Sequence, residues 1–120
     1  MPGEGCAPFP GLPRGLENDK INATLNAEYA IRCEREAQDE KWGFPQHNTC
    51  CEWSSILAEE TGELAKELNE LNFGRGNRER MRAEAVQVAA VAISILIHDD
   101  LGAIVENRSL TTEQTRSEDE

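Results

Sequence analysis

The residues of this 120-residue chain best suited to chemistry lie in two short acidic segments, Glu59-Glu60-Thr61-Gly62-Glu63 and Glu84-Ala85-Val86-Gln87. On a helical wheel Trp53, Ile56, Leu57, Leu64, Leu68 and Leu71 form one apolar stripe. Glu60 and Glu67 fall inside that stripe, Glu63 falls at its edge, and Glu59 lies further round. A carboxylate aimed into a packed face is costly unless it is paired or metal-bound. The second segment opens a stretch, Ala85–Ile97, that is apolar nearly all round. Arg80, Glu84, Gln87, Ser94 and His98 share one face there, with Glu84 and Gln87 neighbours at i and i+3. Packed antiparallel, the two stretches can bring Glu60 and Glu63 opposite Glu84 and Gln87. Hard cations such as Mg²⁺ favour this kind of oxygen donor and bind phosphate oxygens in their remaining positions. Bridging ions would polarise a phosphoryl group and generate a water nucleophile. Taken alone, E-E-x-x-E also describes a solvated helix face with pairs such as Glu63–Lys66. The stripe position of Glu60 and the matching polar face of the second stretch favour a site.

These residues need helices to position them, and the pattern between the ends of the chain is helical. A first helix is expected over about Ala23–Lys41, with Asn22 as its N-cap and Leu25, Tyr29, Ile31 and Cys33 as a partial apolar face. Its charges, Glu34, Glu36, Asp39 and Glu40, read as a solvated face. Gly43 and Pro45 end it. A second helix starts at Thr49, where Thr49 and Glu52 form a capping box. It runs to about Asn72 and stops at Gly74. The short Gly74–Asn77 loop predicts that a third helix, Arg78–Asp100, folds back antiparallel. A further helical turn around Ala103–Asn107 completes a domain over residues 22–107, and no segment reads as a strand. Residues 1–21, rich in Pro and Gly, read as an arm, and residues 108–120 as a solvated acidic tail.

Twelve Lys and Arg stand against 23 Asp and Glu, a formal net charge of −11. A chain so acidic repels nucleic acid backbones and anionic membranes, so a phosphate-rich ligand would need bound cations or a few placed basic groups. The most apolar stretch is shorter than the roughly 20 residues of a membrane span. No basic segment followed by an apolar one stands at the N-terminus, so a cytoplasmic protein is expected. Cys6, Cys33, Cys50 and Cys51 form no CxxC pair and are expected as free thiols; a zinc site from His47, Cys50 and Cys51 has poor spacing.

The two acidic segments together resemble the EExxE…ExxD signature of the MazG-like, all-α NTP pyrophosphatase superfamily. Lys41-Trp42-Gly43, Gln46-His47, Trp53-Ser54-Ser55-Ile56-Leu57 and the run Glu84–Ala92, EAVQVAAVA, add to the likeness and are similar to a bacterial and phage subgroup. It covers about half the chain, Lys41 to His98. The resemblance implies an all-α antiparallel helical bundle, assembled as a dimer or dimer of dimers. It implies hydrolysis of a nucleoside or deoxynucleoside triphosphate between the α and β phosphates, with release of pyrophosphate, in nucleotide-pool control. Carried over, Glu60, Glu63 and Glu84 would be Mg²⁺ ligands, with Mn²⁺ a possible substitute, and Glu59 a further ligand or the base orienting the attacking water. The family's usual Asp stands here as Gln87, whose amide oxygen can coordinate a cation but brings no charge and cannot act as a base.

Around this centre, His47 reads either as a contact to a base or phosphate or as a surface-loop histidine, Trp42 as core or as a wall of the substrate pocket, and Lys66 and Arg80 as the nearest basic groups for its phosphates. Lys66 and Arg80 read equally well as surface ion-pair partners, and Glu67 either as a group supporting the metal ligands from behind or as the partner of a cation on another helix. Trp53 reads as core, and His98 as a histidine at a helix C-terminus, favourable to the dipole. Two other functions fit the same residues: a phosphoribosyl-ATP-pyrophosphatase-like enzyme, and a non-catalytic helical dimer that binds nucleotide or a protein partner, which Gln87 favours.

Overall fold

The computed structural model describes residues 16–106, and most of the expected arm and all of the expected tail lie outside them. The described residues are all-α: α1 (Leu16–Trp42), α2 (Cys50–Asn72) and α3 (Arg78–Asp100). Helix α1 begins earlier than Asn22. Once Pro13 and Gly15 are passed, the chain meets no helix breaker until Gly43. Glu17 and Asp19 then fall in the first turn, where they complement the positive end of the helix dipole. Asn22 is therefore an interior residue and not the N-cap, and residues 16–21 belong to the helix and not to an arm.

Helix α2 opens as its sequence predicts. The Glu52 N–H donates to Thr49 Oγ1 at 3.0 Å and the Thr49 N–H donates to Glu52 Oε1 at 2.8 Å, a complete capping box. It closes at Phe73 with a Schellman arrangement: the Gly74 N–H reaches Leu71 O at 3.1 Å and the Arg75 N–H reaches Glu70 O at 2.9 Å. Gly74 carries φ +74°, the left-handed conformation this cap requires. Gly76 is needed for a different reason: a Cβ there would stand 2.5 Å from the Leu71 nitrogen.

Helix α3 is the central element, packed by α1 on one side and α2 on the other, while α1 and α2 do not pack on each other. Both neighbours run antiparallel to it. Trp53 meets His98 and Glu67 meets Arg80 along α2, while Arg35 meets Ser94 and Gln38 meets Gln87 along α1. Helix α3 is also long and apolar enough to cross a membrane on length and composition alone.

Beyond α3 the expected helical turn does not form over residues 103–106, the described part of that segment. Ala103 is buried and the chain runs extended to Val105, which makes an isolated parallel bridge with Thr49. The Cys50 N–H donates to Val105 O at 2.7 Å and the Val105 N–H donates to Asn48 O at 3.0 Å, so this segment staples the start of α2 to the end of α3. The buried apolar core of the described residues is small: Trp53, Ala90, Val91 and Ala103. Cys50 and Cys51 are free and exposed, whereas Cys33 is disulfide-bonded, so among the described cysteines the expectation of free thiols holds for the adjacent pair and not for Cys33.

Candidate functional site

Because α1 and α2 each pack on α3 and their backbones stay apart, a cleft opens between them with α3 as its floor. It encloses about 680 Å³, within the roughly 300–1,000 Å³ of small-ligand sites. Helix α2 lends it Trp53, Ile56, Glu59 and Glu60; the floor is Gln87, Val91 and Ser94; α1 lends Glu34, Gln38, Lys41 and Trp42. Gln46 and Asn48, in the loop after α1, close one end.

Where α2 meets α3, Glu60 and Glu84 come together. Burial pushes the Glu60 carboxyl up to about 7, and the neighbouring Glu84 adds to this, with smaller contributions from Glu59 and Glu63. Glu84 Oε2 is buried with no hydrogen-bond donor among its neighbours. Two carboxylates in contact are both acceptors, so one proton must sit between them or a cation must take its place. The expected approach of Glu60 to Glu84 is thus present, with Glu59 and Glu63 near enough to act on Glu60 electrostatically. Among the described residues, however, no three Asp, Glu, His or Cys side chains converge tightly enough to hold a metal ion. This applies equally to His47, Cys50 and Cys51. Glu63 is exposed, and neither it nor Glu84 lines this cleft.

Gln87 points its amide oxygen elsewhere. It accepts from Gln38 Nε2 at 3.4 Å, and the same Nε2 donates to Glu34 Oε2 at 3.1 Å. The amide is therefore tied into an α1–α3 network. Glu34 itself corrects the reading of α1 as a solvated face: its residue exposure is only 3%. Burial raises its pKa, against the lowering effects of the Gln38 hydrogen bond and the Lys41 charge. Asp39 is not simply solvated either; it pairs with Arg35 at 3.0 Å, and Arg35 also reaches Ser94 Oγ at 3.5 Å. Glu34, Ala37, Gln38 and Lys41 stand at i, i+3, i+4 and i+7 on one helix stripe, but the stripe is polar, so the spacing alone does not mark it as inward-facing.

The other expected contacts divide in two. Trp42 lines the rim of the cleft and is 63% exposed, with Lys41 Nζ 4.8 Å from its ring centroid. His47 and Lys66 are exposed and do not line the cleft. Arg80 Nε lies 3.5 Å from Glu67 Oε1, which gives Glu67 the cationic partner expected for it.

His98 is a different kind of residue from the one expected at a helix end. It is fully buried, with Phe44 and Trp53 packed on its ring at centroid distances of 5.3 and 5.2 Å. The Gln46 N–H donates to Nε2 at 3.0 Å, and Nδ1 lies 2.7 Å from the Ser94 carbonyl oxygen. A carbonyl only accepts, so the ring proton sits on Nδ1 and Nε2 offers its lone pair. His98 is thereby neutral in this arrangement, and it anchors the loop that closes the cleft.

No family model matches the chain, and no curated protein or solved structure is significantly similar to it.

Proposed function

We propose that the protein is a Mg²⁺-dependent nucleoside triphosphate pyrophosphohydrolase, cleaving NTPs or dNTPs to monophosphate and pyrophosphate in nucleotide-pool control in the cytoplasm. The observation that carries this reading is the Glu60–Glu84 pair: a carboxyl raised to about 7 beside a buried carboxylate oxygen with no donor. Such an arrangement is costly and has no packing advantage. The oxygen donor set suits a hard cation: Glu60 and Glu84 would hold it, with Glu63 and Glu59 adjoining. When bound, Mg²⁺ supplies charge neutralisation of the triphosphate in an otherwise acidic protein. Glu59, exposed at the edge of the cleft, is positioned by α2 beside Glu60 and serves to orient a water molecule. Lys41 is a cation on the cleft wall that can meet a phosphate oxygen.

The small buried core and the exposure of Ile93 (37%) and Leu96 (65%) on α3 support assembly as a homodimer or dimer of dimers. Such an assembly would bury the apolar side of α3, the helix whose composition also suits a membrane.

The test is release of pyrophosphate from a panel of NTPs and dNTPs with Mg²⁺ and with EDTA. Release that requires the cation and is lost in Glu60→Ala supports the enzyme. The engagement of Gln87 by Gln38, and the lack of a three-carboxylate cluster among the described residues, favour a second reading: a non-catalytic helical nucleotide-binding protein. Binding of nucleotide with no turnover under any divalent cation would select it.

A further inference from the structure

We propose that the α1 side of the cleft reads a guanine-type base, through the Glu34 carboxylate and the Trp53 indole N–H. This deepens the reading above and rests on the cleft taking a nucleotide. Glu34 is 3% exposed yet lines the cleft. A carboxylate offers about four acceptor positions, and the Gln38 amide at 3.1 Å fills one of them. Gln38 is itself held by Gln87, so the carboxylate is fixed by its neighbours before any ligand arrives. Trp53 is 4% exposed, lines the same cleft, and its Nε1–H is buried with no acceptor. A buried donor without a partner costs free energy that a ligand's acceptor would recover. At the rim, the exposed ring of Trp42 supplies a flat face against which a base can stack.

The edges of the bases decide which ligand fits. Guanine presents N1–H and the 2-amino group side by side, two donors for the two oxygens of one carboxylate, and O6 beside them as an acceptor for an N–H. Adenine and cytosine each set an amino group next to a ring-nitrogen acceptor, which would face the carboxylate with a lone pair. Uracil and thymine offer one N–H between two carbonyls. Only guanine meets two acceptors with two adjacent donors, and a site of buried polar groups discriminates strongly against a ligand that leaves them unpaired.

Calorimetric titration of the full chain with guanosine, inosine, adenosine, cytidine and uridine tests this without relying on catalysis. Guanosine is expected to bind tightest, about tenfold or more above adenosine, cytidine and uridine. Inosine, which lacks only the 2-amino group, should lose about tenfold on the unmodified protein. Glu34→Gln should erase the gap between guanosine and inosine. Equal binding of guanosine and inosine, a preference for adenosine, or binding of none of the five overturns the proposal. Pyrophosphate release without base preference would sink this inference and leave the hydrolase reading standing. A guanosine preference with no pyrophosphate release from any triphosphate would do the reverse.

Discussion

Glu84 and His98 lie on the same face of α3, fourteen residues and roughly 21 Å apart, and both are polar groups turned toward the interior. Every polar demand of the His98 ring itself is met. Both ring nitrogens have partners at 3.0 Å or less, and two aromatic rings cover the remaining surface. At the Glu84 end no N–H or hydroxyl reaches the buried oxygen, and the donor at hand is the proton that a second carboxyl beside it retains only while that carboxyl stays neutral. One helix therefore carries a polar group that completes the fold and another that burdens it. Burial of a polar residue does not by itself mark a site; burial without a partner does.

Substitutions at the two ends should give opposite results. Glu60→Gln keeps the shape of the side chain and removes the carboxyl that clashes with Glu84. Pyrophosphate release should fall by about 10²–10⁴-fold, while the thermal midpoint stays unchanged or rises. A variant that loses activity and stability together would mean that the acidic end is structural like the other. His98→Ala should do the reverse. It strips the Gln46 N–H of its acceptor, removes the ring N–H that the Ser94 carbonyl accepts, and leaves a hollow between Phe44 and Trp53. The expected cost is about 2–4 kcal/mol of folding stability, read by denaturant titration. A loss below about 1 kcal/mol would show that the node is not what holds the loop closed.

The same distinction explains what the amino-acid pattern discloses and what it hides. The bounds of α2 and α3 are written in local chemistry, in the Thr49–Glu52 box and the glycine after each helix, and those were legible. So was the convergence of Glu60 with Glu84, because an acid inside an apolar stripe is visible on one helix alone. Glu34 was not legible. Its stripe on α1 is polar, and only the packing of α1 against α3 turns it inward. The early start of α1 was hidden because Asn22 resembles a cap while the true limit is the last breaker before Leu16. The extended run to Val105 depends on Thr49, far away in sequence, and no local signal announces it.

A pH series offers a third contrast. For Glu60 the folded value of about 7 lies above the unfolded 4.5, so the folded state holds its proton more tightly. The stabilising contribution of that proton is complete below about pH 4.5 and is lost as the pH rises through 7. Buried Glu34 shifts in the same direction. The difference in stability between the native protein and Glu60→Gln isolates the first carboxyl: the variant should gain on the native protein as pH climbs between these limits. A difference flat across that window would remove the coupled pair from the account.

The smallest effect belongs to a polar contact that is satisfied but lies in solvent. Arg80 Nε reaches Glu67 Oε1 at 3.5 Å, with the arginine side chain 63% exposed and the glutamate 13%. Water screens such a pair, and holding a long side chain in one rotamer offsets much of its attraction. Arg80→Ala should therefore cost no more than about 0.5 kcal/mol, a shift that shrinks further in added salt. The arginine also stands outside the cleft, so nucleotide affinity should be unchanged. A loss of affinity with stability intact would move Arg80 from the surface of the seam into the binding site. It would also show that the triphosphate extends past the Glu60–Glu84 pair toward the α2–α3 turn.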